Sequence, residues 1–324
     1  MSTQHNIYWW NLENLFDEEN SPTRTDKLKR VLQQELKGWT PEVLDRKLNQ
    51  LVSVISRFNN NRGPDIMGVC ELENKAVLDK LIVKLNTATG KNYNVRHHDT
   101  KDERGIDVAF IFDSAKYVPE GELYSLEVMR RNATRDLVQI QLITSAGNKL
   151  VIIGNHWPAR SGGQYESEPF RMMVGEVLSY WVKRIHEEVP APVNLIAMGD
   201  FNDEPFNRSL TEYANSTHVI KRVENARSTN YLYNLMAEKI DGKTGTHVYG
   251  GEISILDQFL VSKDIAIDTK NSKFSVAQPV QIIIFDGMVS GEYNAPIRFS
   301  RPSEDLNLNG FSDHLPIELI LIEE

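Results

Sequence analysis

A carboxylate and an amide two residues apart, Asp200 and Asn202, close the stretch Leu195-Ile196-Ala197-Met198-Gly199-Asp200-Phe201-Asn202. Together they offer one acceptor or base and one neutral hydrogen-bond donor. The apolar run before them is too short for a helix and predicts a buried strand whose C-terminal end becomes an active-site rim. Gly199 lets the backbone approach another group closely at the turn. Asp and Asn also cap helices and make Asx turns, so the pattern gains weight only where it repeats. It repeats at three further apolar runs: 65–70 ends at Glu71, 150–154 ends at Asn155 and His156, and 7–10 ends at Asn11. Buried strands accept polar groups at their ends far better than in their middles, because a buried carboxylate without a partner is costly. The four ends predict one shared, water-accessible rim.

Two more positions belong with that rim. Asp257 interrupts the apolar strand Ile255-Leu256-Asp257-Gln258-Phe259-Leu260-Val261, where an ionised carboxylate needs a donor. His314 follows Asp313 at the start of the last strand. Neighbouring strand residues face opposite sides, so Asp313 is a poor partner for His314, and Asp257 is the better candidate to orient the ring. A histidine held by a carboxylate stays charged more easily and can stabilise a phosphoryl oxygen or move a proton.

The elements that must position these groups are legible in outline. Thr40-Pro41 opens a helix with Leu44, Leu48, Leu51, Val52, Ile55 and Phe58 on one face. A second helix follows Asn74 with Val77, Leu78, Leu81 and Leu85 inward, and a third starts near Pro169 with Met172, Met173, Val177, Leu178, Trp181 and Ile185 inward. Strand-like runs lie at 106–112, 122–129, 136–143, 255–262 and 315–322. Many strands with few helices in mixed order predict sheets with helices packed outside. No internal repeat, low-complexity tract or linker divides the chain, and 324 residues suit one α/β domain. The polar segment Asp17 to Gly38 reads as a solvated insertion or a lid over the site.

Bulk properties narrow the classes of function. The 36 basic and 45 acidic residues give a net charge of −9, which disfavours a protein that coats nucleic acid through long-range attraction to phosphate. A nuclease is still compatible, because a catalyst needs only local positive charge and clustered carboxylates attract hard cations. The single cysteine, Cys70, rules out an internal disulfide and a cysteine metal cluster. It precedes Glu71 on a buried strand, so it should face the opposite side as a small hydrophobe. Met1 to Asn6 is polar without a signal-like apolar region, and no apolar stretch approaches the ~20 residues that cross a bilayer. The expected setting is a reducing cytoplasm, with no membrane partner.

The ordered set Asn11, Glu71, Asn155-His156, Gly199-Asp200-Phe201-Asn202, Asp257 and Ser312-Asp313-His314 resembles the endonuclease/exonuclease/phosphatase superfamily, and spans residues 7 to 322. That resemblance implies an α/β four-layer sandwich, two packed mixed β-sheets flanked by helices, with the site at one end of the sheets. It implies phosphoester hydrolysis with Mg²⁺ or Mn²⁺, Glu71 ligating the metal, and Asn11 and Asp313 helping to place metal and phosphate. Asp200 would orient or deprotonate the attacking water, and Asn202 would bond the phosphoryl group. His314, steadied by Asp257, would stabilise phosphoryl charge, and His156 would lie near the scissile phosphate or leaving oxygen. Whether Asp200 or His314 is the base stays open.

Three arginines are candidate phosphate ligands. Arg135 matches a phosphate-contacting position of deoxyribonuclease-like relatives, whereas Arg104 and Arg160 are weighed against a solvated surface role. Glu73 stands where those relatives carry a basic residue that enters the minor groove, which weakens that mode of duplex binding. His5, His97, His98, His186, His218 and His247 lie outside the motifs and are expected to be surface or satisfied core groups. The expected function is hydrolysis of nucleic-acid phosphodiesters. The alternatives are a small phosphoester such as an inositol phosphate or lipid head group, and an inert binding module on the same fold.

Overall fold

Alternation along Ile7-Tyr8-Trp9-Trp10 sets the layers of the computed structural model, which describes residues 2–100, 105–128, 135–269 and 271–324. Ile7 and Trp9 point between two sheets, while Tyr8 and Trp10 point outward to a helical layer. The first sheet comprises β1 (Thr3–Leu15), β2 (Ile66–Leu72), β3 (Tyr93–His97), β4 (Asp107–Asp113), β15 (Phe274–Val276), β16 (Gln281–Ile282) and β19 (Ile317–Glu323). Its order is β15-β19-β1-β2-β4-β3, with β16 also on β19. The second comprises β5 (Tyr117–Pro119), β6 (Tyr124–Leu126), β7 (Leu137–Thr144), β8 (Lys149–His156), β9 (Leu195–Asp200), β10 (Ser216–Thr217), β11 (Leu232–Asn234) and β14 (Asp257–Val261). It runs β10-β11-β14-β9-β8-β7-β5, with β6 on β7. Both sheets are mixed: β1 pairs parallel with β2 and antiparallel with β19, and β9 pairs parallel with β8 and antiparallel with β14. Two separate hairpins, β12 (His247–Tyr249) with β13 (Glu252–Ser254) and β17 (Val289–Ser290) with β18 (Ala295–Pro296), complete the strands.

The helices close the sandwich from outside. Pro41–Ile55 and Lys75–Thr89 cover the first sheet, capped by the Thr40 and Asn74 side chains as the sequence predicts. Gln164–Glu188 covers the second sheet and departs from expectation at both its start and its face. It begins five residues before Pro169, and it buries Arg171, Val174, Leu178, Val182 and Ile185 while Met173 is exposed. A proline inside a helix costs roughly 3 kcal/mol, and each of these apolar side chains contributes about 1.5–3 kcal/mol on full burial. Packing wins, and the carbonyl that Pro169 leaves unbonded belongs to the exposed first turn. No described helix is long and apolar enough to cross a membrane.

Segment 17–38 is a largely exposed insertion, but it is anchored to the fold from beneath. Arg24 is buried and forks onto Glu73 through Nε at 2.6 Å and Nη2 at 2.7 Å, and it also donates to the carbonyls of Asp17, Glu18 and Glu19. Leu32 and Leu36 enter the core beside Trp39. Glu73 therefore anchors the segment from within.

Candidate active site

Parity explains which strand ends converge. Asn11 continues the Ile7-Trp9 face, His156 the Ile152-Gly154 face, Asp200 the Ile196-Met198 face and Asp257 the Phe259-Val261 face, all between the sheets. The register places His156 and Asp257 on either side of Asp200. Asn155, one residue out of phase, faces the outer helix and accepts from the Trp157 indole at 3.0 Å, so it supports the fold and stays outside the site. Glu71 would also be out of phase, because Cys70 belongs to the inter-sheet core. A left-handed backbone at Glu71, φ 61°, breaks the β2 register and redirects the carboxylate, whose Oε2 accepts the Asn14 N–H at 2.9 Å. Glu13, Asn14 and Asn202 are left-handed as well, which concentrates backbone strain at this rim.

The polar groups form one network. His314 Nδ1 bonds Asp257 Oδ2 at 2.7 Å, and Trp9 Nε1 donates to Asp257 Oδ1 at 3.0 Å. His314 Nε2 lies 3.9 Å from Asp200 Oδ2. Asn11 Nδ2 donates to the same Asp200 oxygen at 3.1 Å, while Asp200 Oδ1 accepts the Asn202 N–H at 2.9 Å. His156 Nε2 is 3.6 Å from Glu71 Oε1, 3.8 Å from Asp200 Oδ2 and 3.0 Å from Arg135 Nη2. Ser312 Oγ donates to the Asn11 carbonyl and accepts the His314 N–H, tying the last loop to β1. Glu71, Arg135, His156, Arg160, Asp200, Asn202, Asp313 and His314 line a cavity of about 490 Å³.

Negative charge is in surplus here. Burial pushes the Asp200 carboxyl up, and the charges of Asp257 and Glu71 add to it. Burial likewise raises Asp313, with Glu13 and Glu71 adding to it. For His314, burial alone would remove the proton, but the Asp257 and Asp200 carboxylates outweigh it and hold the ring charged well above the usual range. Burial pushes the Cys70 thiol up, so it is an inert core group as expected.

Several placements differ from expectation. Asn202 donates its amide to the Trp157 carbonyl at 3.0 Å. Arg160 is no free surface charge, since its Nε donates to the Asn202 carbonyl at 2.8 Å. Arg104 lies outside the described residues. His247, set aside with the unplaced histidines, lines the cavity with its ring centroid 4.7 Å from that of His314, and burial followed by the His314 charge lowers it to about 3. Thr246, whose Oγ1 accepts the Asp257 N–H, was also missed, as was Trp9. Thr246 and His247 stand where a short polar hairpin begins, which no apolar run announces, and Trp9 lies in mid-strand; only Trp9, as an indole that needs an acceptor when buried, carried a signal.

The oxygen donors suit a hard cation. Ligand atoms of Asp200, Asp257 and His314, and of His247, Asp313 and His314, lie within 4.8 Å of one another. Both sets include His314, whose ring the Asp257 and Asp200 carboxylates hold charged, and a charged imidazole has no lone pair to offer a cation.

The two-sheet sandwich and the convergence of acids and histidine at one end define a phosphoesterase-type site. Residues 6–323 match the Endonuclease/Exonuclease/phosphatase family, and the chain belongs to it. Family members are phosphoester hydrolases that use divalent metals. Among solved structures it is similar to D. rerio TDP2 complexed with single strand DNA product, at 17% identity and TM-score 0.55, covering 98% of this chain and 99% of that one. The human Nocturnin catalytic domain with bound sulfate is similar at 16% identity and TM-score 0.56, over 98% of this chain and 93% of that one. The Bacteroides thetaiotaomicron mannosyl-6-phosphatase Bt3783 is similar at 15% identity and TM-score 0.54, over 98% and 99%. No curated protein matches the chain by sequence.

Proposed function

We propose that residues 1–324 form a single-domain, Mg²⁺- or Mn²⁺-dependent phosphodiesterase that hydrolyses nucleic acid by in-line attack of water, in a reducing cytoplasm. The observation that carries this reading is the 3.9 Å approach of His314 Nε2 to Asp200 Oδ2 at the floor of the cavity, beside Glu71, Asp313 and the Arg135–His156 pair. Glu71 and Asp313 would hold the cation, together with Asn11, whose Nδ2 orients Asp200 while Oδ1 keeps a second lone pair. Bound there, the cation supplies charge neutralisation at the phosphoryl oxygens.

Asp200, fixed by Asn11 and the Asn202 N–H, orients and accepts a proton from the attacking water. His314 presents Nε2–H to a phosphoryl oxygen, and Asp257 holds the ring so that this proton faces the cavity. His156 and Arg135 serve the opposite side, where charge develops on the leaving oxygen. Arg160 and the Asn202 turn bound the phosphate laterally, and Arg104 remains a candidate contact.

The test is purified protein with Mg²⁺ or Mn²⁺ against plasmid, single-stranded DNA, RNA, abasic duplex, inositol phosphates and sphingomyelin. Cleavage of nucleic acid supports the proposal. Hydrolysis of the small phosphoesters alone would assign the site to them, and no hydrolysis at all would favour a binding module.

A further inference from the structure

One large side chain at the cavity mouth is unused by the chemistry above. Tyr249 lines the cavity and is 81% exposed, at the end of β12 and directly opposite Glu252 on β13. Gly250 and Gly251 join the two strands in a two-residue turn, both left-handed at φ 59° and 85°. The base of this hairpin is fixed to the catalytic end. Thr246 donates its N–H to the Ser254 carbonyl at 2.9 Å and accepts the Leu315 N–H at 2.7 Å, and His247 forms a bridge with His314. Tyr293, half exposed in the turn between β17 and β18, lies beside the tip: a Cβ at Gly251 would meet its ring at 3.7 Å. The backbone that carries Tyr249 is therefore tied to the His314 loop.

We propose that Tyr249 stacks on a nucleobase next to the scissile phosphate, so that the substrate is an unpaired nucleic-acid strand; this rests on the nuclease reading above. Phosphate finds partners in Arg135, Arg160 and His314, whereas Glu252, opposite Tyr249, is an exposed carboxylate that offers it none. What rests against Tyr249 is thus a neutral part of the substrate. A flat ring gains most from an exposed tyrosine face, and every base has one. A sugar would need several partners for its hydroxyls, and of the hairpin's polar groups at the cavity, His247, Glu252 and Ser254, His247 already packs beside the His314 ring. A base inside a duplex has both faces covered by neighbours, so the platform requires an unstacked one.

The experiment compares oligothymidylate with a tetrahydrofuran-phosphate polymer of equal length, which keeps every phosphate and lacks every base. If RNA is the better substrate, oligouridylate takes its place. Wild-type enzyme should show kcat/KM about 10-fold or more higher on the base-bearing polymer, chiefly through KM. Tyr249→Ala should bring that ratio to within twofold of one, while Tyr249→Phe and Tyr249→Trp preserve it. A wild-type ratio near one, or a ratio that survives in Tyr249→Ala, overturns the stacking role and leaves the nuclease reading standing. Wild-type enzyme that cleaves no nucleic acid overturns both.

Discussion

Two buried histidine–carboxylate pairs behave in opposite ways, one on β1 and β19, the other where the loop before β19 meets the start of β14. In the first, His5 Nε2 bonds Glu323 Oε2 at 3.0 Å and His5 Nδ1 bonds the Tyr117 hydroxyl at 2.6 Å. Thr144 and Asn148 donate to the other Glu323 oxygen. A neutral imidazole with hydrogen on Nε2 satisfies every bond there, and burial lowers His5 below the ordinary histidine range despite the Glu323 charge. In the second, His314 faces two carboxylates, and its Nε2 opens on a cavity. A buried His–acid pair is therefore no mark of a site by itself. Surplus negative charge with an accessible ring nitrogen is what separates a catalytic pair from a structural one.

The comparison breaks most readily at the metal. Chelation should take hydrolysis to background and leave the thermal midpoint of unfolding close to that of the metal-free protein; persistent activity after dialysis against chelator would remove the cation from the account. Next in size, Asp257→Asn should lower kcat by roughly 10²- to 10⁴-fold, because the ring loses both its orientation and its charge partner. Unchanged kcat would show that both pairs are structural. Glu323→Gln should leave kcat within twofold and destabilise the fold by about 1.5–3 kcal/mol in urea titration, the range for a hydrogen bond to a charged group.

The smallest effect is in pH. Because folding lowers His5, the unfolded state binds more protons through the acid side of its titration, so the stability that neutral His5 contributes is complete above about pH 6.5 and declines as pH falls. The stability gap between wild type and His5→Gln should therefore shrink on acidification. A gap that widens would mean His5 is charged, and the two pairs would be alike.

Much of the catalytic end was legible because a strand end has a one-dimensional signature: an apolar run, then a polar residue. Asn11, His156, Asp200 and Asp257 reach the rim by simple alternation, and the pairing of His314 with Asp257 across 57 residues follows from the rule that neighbours on a strand face apart. Asn155 fits the same signature and lies on the wrong face. Glu71 breaks the rule through a left-handed bulge that sequence does not announce. The edge strand β3, Tyr93–His97, went unnoticed because its polar alternation resembles a loop, and among the described residues of the 122–129 run, 122–128, only Tyr124–Leu126 is strand. The buried Arg24–Glu73 fork was invisible, since charged residues in a polar segment read as solvated until a partner from elsewhere covers them.

Side-by-side kinetics and unfolding of His314→Gln and His5→Gln test the contrast most directly. The account predicts that His314→Gln loses roughly 10³-fold in kcat with a thermal midpoint near wild type, and that His5→Gln keeps kcat within twofold while its midpoint falls. Full activity in His314→Gln, or loss of activity in both, would contradict it.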